Sequence, residues 1–342
     1  MKKSITTLSV FYILLPIVLL TLILISTLTG CGESSKKNNG TTVRLNEVAH
    51  SIFYAPMYVA MEEGYFEEEG LNIELVTGFG ADKTMTALLS GEADIGFMGP
   101  ESTIYTYQEG NTDYVVNFAQ LTQRAGNFLV SREKIDNFSW DMIKGKDVIG
   151  GRKGGMPQMI LEYVLKLQGM DPASDVNLVQ NIDFANTSGA FLGGTGDFTV
   201  EFEPQASLIE EQGAGYVVAS LGVESGYVPY TCFSAKKSYI EENPDIIQAF
   251  TNAIQKGMDY CAQHDAEAIA EVIAPQFPDT DLDLLVKIVD RYAAQDSFKE
   301  NAVFEQDSFM LLQNILEEAG ELEERVPFED LVDNQFAEAA TK

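Results

Sequence analysis

Cysteine is scarce: the 342 residues hold three, too few for disulfides to frame a chain of this length. Cys232 and Cys261 have no C-x-x-C spacing, so a zinc or dithiol site is not expected, and both read as small apolar residues. Histidine is scarcer still, with only His50 and His264, and no Gly-x-Ser-x-Gly nucleophile signature occurs. These shortages remove the usual nucleophile–base and metal constellations. The expectation is a protein that is not an enzyme and takes no cofactor and no metal. Cations are few as well, 22 Lys and Arg against 52 Asp and Glu, for a formal net charge of −30. Such a chain repels phosphate backbones, so no nucleic-acid partner is expected. Asp279-Thr280-Asp281-Leu282-Asp283 is acidic but lacks the Gly and Glu of a calcium loop, and reads as a helix N-cap.

What is present begins with an address. Lys2 and Lys3 precede an apolar stretch from about Leu8 to Leu28, which ends in Leu28-Thr29-Gly30-Cys31. Small residues before a cut suit a signal peptidase. An aliphatic residue three positions before a Cys resembles the bacterial lipobox, in which the Cys thiol is acylated and becomes the new N-terminus. A plain membrane anchor is the alternative, since the run is nearly long enough to span. Either reading places the remainder outside the cytoplasmic membrane. Gly32 to Thr42 holds no large apolar residue and reads as a tether.

From Val43 the pattern becomes that of an α/β protein. Val43 to Ala49 alternates as a strand, Ala55 to Glu63 has helical spacing, Asn72 to Val76 is a second strand, and Asp82 to Ser90 a second helix. That order implies a parallel sheet with right-handed crossovers. An internal echo follows. Ala87-Leu88-Leu89-Ser90-Gly91-Glu92-Ala93-Asp94-Ile95-Gly96 aligns with Ala190-Phe191-Leu192-Gly193-Gly194-Thr195-Gly196-Asp197-Phe198-Thr199, and Pro100 or Pro204 then opens a helix. Asp94 and Asp197 lie 103 positions apart. Either two α/β units share their punctuation by chance, or two lobes of one topology face each other. The connecting strands are placed at Gly126–Ser131 and Tyr230–Ser234, with a hinge near Phe128–Val130 and Thr231–Phe233. Helices are expected at Pro244–Ala262, Asp281–Gln295, Gln306–Gly320 and Phe328–Ala340.

Pro56-Met57-Tyr58-Val59-Ala60-Met61-Glu62-Glu63-Gly64-Tyr65-Phe66-Glu67-Glu68-Glu69-Gly70-Leu71 is similar to the A-x-x-x-G-Y/F-F-x-x-x-G-L stretch of ABC-importer solute-binding proteins. Leu89 to Gly96 matches their L-x-x-G-x-x-D element. Phe202-Glu203-Pro204 resembles their W-E-P with Phe in the Trp place, and Asn243 to Phe250 their N-P helix start. The branch resembled binds aliphatic sulfonates, taurine, nitrate and thiamine-pyrimidine precursors. The resemblance implies the α/β type II periplasmic-binding-protein fold, two lobes joined by a two-segment hinge. It divides the chain into a signal peptide (1–30), a tether with lipidated Cys31 (31–42), lobe 1 (43–129), lobe 2 (130–230) and a return to lobe 1 (231–342). It also implies partners: a small-molecule ligand, and a permease with its ATPase subunits. A eukaryotic branch of this fold makes the thiamine pyrimidine with a His and a Cys-rich iron motif, which has no counterpart here.

In open α/β sheets ligands bind beyond the carboxyl ends of strands, at helix N-termini. Loops answering that description supply Ser51, Phe53 and Tyr54; Gly80 and Ala81; Glu101 and Ser102; Thr122; Gly154 and Gly155; Asp183; and Glu203. The aromatics either stack on a ligand or fill the core. The glycine loops, the second with Arg152 and Lys153, either cradle an anion or simply turn. Glu101 either pairs with an amino or amidine group or favours the helix dipole. The aromatics with Glu101 favour a thiamine-pyrimidine-like heterocycle slightly over a sulfonate or other small anion.

The lipobox reading predicts that Cys31→Ser abolishes lipid attachment and leaves unprocessed or released protein. Intact-mass measurement on membrane and soluble fractions checks this. A wild-type mass without lipid would overturn it.

Overall fold

The computed structural model describes residues 40–342. The apolar segment, Cys31 and most of the tether lie outside the described residues. Strand β1 (Thr41–Glu47) buries Val43 and Leu45 on one face, as its alternation requires. The turn after it leads into α1 (Ala55–Glu62), stopped by Gly64 in the left-handed conformation that glycine adopts without penalty. Then come β2 (Leu71–Thr77), α2 (Ala81–Ser90), β3 (Ile95–Met98), α3 (Glu101–Gln108) and β4 (Val115–Thr122). The chain crosses to a second unit with β5 (Phe128–Ser131), β6 (Asp147–Ile149), α4 (Met156–Leu167), β7 (Asn177–Val179), α5 (Thr187–Leu192), β8 (Phe198–Glu201), α6 (Gln205–Glu211) and β9 (Tyr216–Ser220). It returns through β10 (Thr231–Lys236) and continues in helices that include α7 (Pro244–Gln263), α8 (Ala266–Ile273), α9 (Leu282–Ala294) and α10 (Gln306–Ala319).

Two five-stranded sheets result, in the orders β2-β1-β3-β10-β4 and β7-β6-β8-β5-β9. The orders correspond position by position, so the echo in the sequence is an echo of topology. Its Asp residues do the same work in each. Asp94 accepts from Arg44 N at 2.9 Å while its own N–H donates to Arg44 O. Asp197 accepts from Asp147 N at 3.1 Å while its N–H donates to Asp147 O. Each Asp thus locks the entry of the third strand to the start of the first.

The sheets are mixed, which corrects the parallel expectation. β1 is parallel to β2 and β3, and β6 to β7 and β8. In contrast β10 is antiparallel to β3 and β4, and β5 to β8 and β9. The exchanged strands arrive from the other sheet and not by a strand–helix–strand crossover within their own, so no such crossover dictates their direction. The expected hinge segments are strands of the two sheets. Phe128–Val130 and Thr231–Phe233 are held in ladders, and the chain passes between sheets through residues 123–127 and 221–230. The last expected helix is also two short ones, Phe328–Leu331 and Gln335–Ala340, interrupted where Val332 bridges to Asn117.

The long helix α7 packs on α1 and covers the first sheet with aromatics. Phe250 meets Phe66, Phe118 and Phe233, and Phe233 stacks on Phe97 at 4.4 Å. Gly257 permits the close approach, because a Cβ there would overlap the carbonyl oxygen of Pro56. Gly257→Ala should therefore destabilise the fold by about 1–3 kcal/mol through overpacking, despite alanine's better helix propensity. Urea unfolding of the two proteins reads the difference.

Candidate ligand-binding site

The two sheets meet along loops from both. Ser51 caps the turn after β1, its Oγ accepting from Phe53 N and donating to Glu203 O on the far lobe at 3.1 Å. Phe53 is fully buried at the centre of that junction. Its ring contacts Tyr54, Phe202, Tyr230 and Tyr292 at 4.9–6.0 Å between centroids. Gly126 in the first crossing makes room, since a Cβ there would stand 2.8 Å from the Phe53 ring. Phe53 thus serves the core between lobes, and Tyr54 packs edge-on against Phe97.

Glu101 opens α3 and is 4% exposed. Its carboxylate folds back over Gly99, where any side chain would overlap it. Its Oε2 is buried with no hydrogen-bond partner among the described residues. Burial pushes its carboxyl up to about 7. Burial raises the phenols of Tyr54 and Tyr230, and the Glu101 charge adds a smaller push to both, after Glu47 in the case of Tyr54. Tyr230 OH is likewise buried and unpartnered, as are Arg124 Nε, Ser225 Oγ and both ends of the Asn127 amide. Four of these residues, Arg124, Asn127, Ser225 and Tyr230, lie in the two crossing segments. Buried polar groups are normally paired, so the concentration of such atoms here sets the junction apart from the rest of the core.

The other candidates divide. Thr122 is occupied, its hydroxyl bonded to that of Thr231 at 2.5 Å. Ser102 is buried in the first turn of α3 beside Glu101. Asp183 is exposed at the start of a short turn, bonded to Asn186 N, and is not linked to the rest. Gly80 and Ala81 open α2, and Gly154 and Gly155 precede α4. Their loops face each other through Arg152 and Asp82, 3.5 Å apart with more than half of each side chain exposed. The glycine amides are engaged internally: Gly78 N to Glu47 O, Gly80 N to Val48 O, Gly154 N to Gln158 Oε1 and Gly155 N to Arg152 O.

Glu203 is fully buried, and its carboxylate is consumed by the protein. Ser207 donates through N and Oγ at 2.9 and 3.0 Å, and Arg291 of α9 donates a charge-assisted bond. Arg291 also reaches Glu210 at 3.0 Å. Its neighbour Tyr292 accepts from Glu203 N and donates to Gly126 O. Sequence reasoning missed Arg291, Tyr292, Asn127 and Tyr230. The first two sit nearly ninety residues from Glu203 on an ordinary amphipathic helix, and the others lie in segments without periodicity. Elsewhere, a groove of about 240 Å³ lined by Tyr114, Lys237, Glu241, Asp330 and Asp333 lies at the other end of β4 from Thr122. Among the described residues no group of three His, Cys, Asp or Glu is placed to hold a metal ion.

Comparison with known proteins gives four likenesses. The family model described as NMT1/THI5 like matches residues 52–268. YtlA of Bacillus subtilis (strain 168), described no further than as a binding protein, is 48% identical over 301 residues, 88% of this chain and 90% of YtlA. In fold, the chain resembles the nitrate-binding protein NrtA from Synechocystis PCC 6803 (TM-score 0.73, 16% identity, 88% of each chain). It also resembles the alkanesulfonate-binding protein SsuA from Xanthomonas axonopodis pv. citri bound to MOPS (TM-score 0.70, 16% identity, 86% of this chain and 99% of that one). The fold is therefore the two-lobed one of periplasmic binding proteins.

Removing Arg291 would leave Glu203 charged and buried alone. Arg291→Ala should cost about 3–5 kcal/mol, whereas the double change Glu203→Gln, Arg291→Met should recover most of it. Urea unfolding of the three proteins reads the difference, and a harmless single change would show the pair to be dispensable.

Proposed function

This chain belongs to the NMT1/THI5-like family, and on that premise we propose that it is the extracytoplasmic solute-binding protein of an ABC importer. It captures a small molecule between its lobes and passes it to a membrane permease driven by ATPase subunits. Lipidated Cys31 would hold it at the outer face of the cell membrane. The single observation that carries the site is the buried Glu101 carboxylate, whose Oε2 has no partner among the described residues, near Tyr54 and Tyr230.

The same observation favours the ligand class. A buried carboxylate calls for a donor or a cation, and aromatic walls call for a planar ring. A nitrogen heterocycle with an exocyclic amino group, of the thiamine-pyrimidine-precursor kind, supplies both. A sulfonate or nitrate supplies only acceptors, and the glycine amides that would receive it are already engaged. The other members of the site support capture without chemistry, because no nucleophile–base pair accompanies Glu101. The bound molecule should therefore return unchanged by mass spectrometry.

A thermal-shift screen with an aminopyrimidine, taurine and nitrate tests the ligand class, since a ligand that binds only the folded state raises Tm. The aminopyrimidine should raise Tm, and Glu101→Gln should remove most of that gain. A response to taurine or nitrate alone would favour the anion reading. The ligand-free protein gives a further check. Glu101 titrates higher folded than unfolded, so its charged form destabilises the fold, an effect absent below its unfolded value and complete above about 7. Glu101→Gln should thus stabilise the empty protein at pH 8 by roughly 3 kcal/mol and leave it nearly unchanged at pH 4.

A further inference from the structure

His50 links β1 to the capped turn that carries Ser51, Phe53 and Tyr54. Its ring has an oxygen at each nitrogen. Nδ1 lies 2.8 Å from Glu47 Oε1 and 3.1 Å from the Tyr58 hydroxyl, and Nε2 lies 2.9 Å from the backbone carbonyl of Gln276. The Glu47 and Gln276 oxygens can only accept while Glu47 is ionised, and the Tyr58 hydroxyl spends its proton on Glu47 Oε2. A neutral imidazole has one N–H, so it can donate to Glu47 or to Gln276 but not to both. Only the imidazolium donates to both.

The surroundings demand that charge. Glu47 is fully buried and also accepts from Tyr58 OH at 2.6 Å and Thr77 Oγ1 at 2.8 Å. His50 is its ion-pair partner among the described residues. A carboxylate at that depth is costly without a counter-charge. The ring packs against Tyr58 and Phe277, with centroids 4.9 and 4.8 Å away. The titratable and charged groups around it are therefore Glu47 from β1 and Tyr58 from α1. Glu62 stands one bond further off, accepting from Gln276 Nε2 at 2.5 Å.

We infer that His50 is a proton-operated clasp: protonated, it ties the Ser51–Tyr54 turn to the Ala274–Gln276 turn after α8, and on losing its proton it releases one of the two. The hydrogen bond to Glu47, opposed by burial and aided by the Gln276 carbonyl, raises the imidazole above its ordinary range. The sign follows. The clasp contributes fully below the unfolded imidazole value and is lost as pH rises through the folded one. The turn it holds is the one that reaches across to Glu203, so external pH would set how firmly that side of the cleft is ordered.

The test needs no ligand, so its outcome is independent of the reading of the site. With His264 replaced by Gln, a single imidazole remains for NMR titration. Its midpoint should lie above the ordinary imidazole range and fall in Glu47→Gln. Amide exchange of residues 50–58 and 274–277, corrected for intrinsic pH dependence, should speed up about fivefold through that midpoint, the effect of one lost hydrogen bond. His50→Gln should show no such step. A midpoint at or below the ordinary range, or exchange that passes through it without a step in the His50 protein, would overturn the clasp.

Discussion

The pairing of Glu203 with Arg291 is the constraint on which the junction of the two lobes depends. A carboxylate with no exposure cannot stay ionised in a protein interior unless a cation and further donors reach it. Meeting that demand brings α9 of the return segment against α6 and the end of β8 in the second lobe. Once α9 is there, Tyr292 closes bonds to Glu203 N and Gly126 O, and Gln295 bonds to Ala125 O and Ser220. One helix and its C-cap thus touch the first crossing segment, α6 and the end of β9. The Phe53 aromatic cluster then has walls on every side.

That arrangement separates two kinds of buried polar group. Glu203 is saturated, so it holds shape. Glu101, Tyr230 and Asn127 retain atoms with no partner among the described residues. Glu101 and Glu203 follow the ends of corresponding strands, β3 and β8, and so follow from the same topology used twice, whereas Tyr230 and Asn127 lie in the crossing segments. The duplicated fold supplies two strand-end positions: the Glu203-Pro204-Gln205 turn carries a carboxylate saturated by Ser207 and Arg291, and the Gly99-Pro100-Glu101 turn one whose Oε2 has no partner among the described residues.

Charge is distributed with similar economy. The chain carries a large negative excess, yet the cations that matter are placed singly. Arg44 secures Asp94, Arg291 secures Glu203 and Glu210, and His50 secures Glu47. Arg152, which stood out in the sequence as a possible anion ligand, instead meets Asp82 between the two glycine loops. An exposed pair of that kind adds little stability, and its position between the lobes is what distinguishes it.

The sequence by itself determined the α/β class, the repeated unit and the strand ends, because glycine and proline punctuation and apolar periodicity are local properties of the chain. Asp94 and Asp197 were legible as equivalents for that reason, and Glu101 as a candidate because it follows such a strand end. Tertiary structure alone decided the rest. The antiparallel entry of β5 and β10 depends on a strand exchange between sheets, which no local pattern encodes. The role of Glu203 depends on Arg291, whose distance along the chain leaves no trace in spacing. The unpaired state of Glu101, Tyr230 and Asn127 depends on what fails to approach them when the lobes meet. Burial and partnership are properties of the folded surroundings, and a residue type carries neither until the chain has brought its neighbours into place.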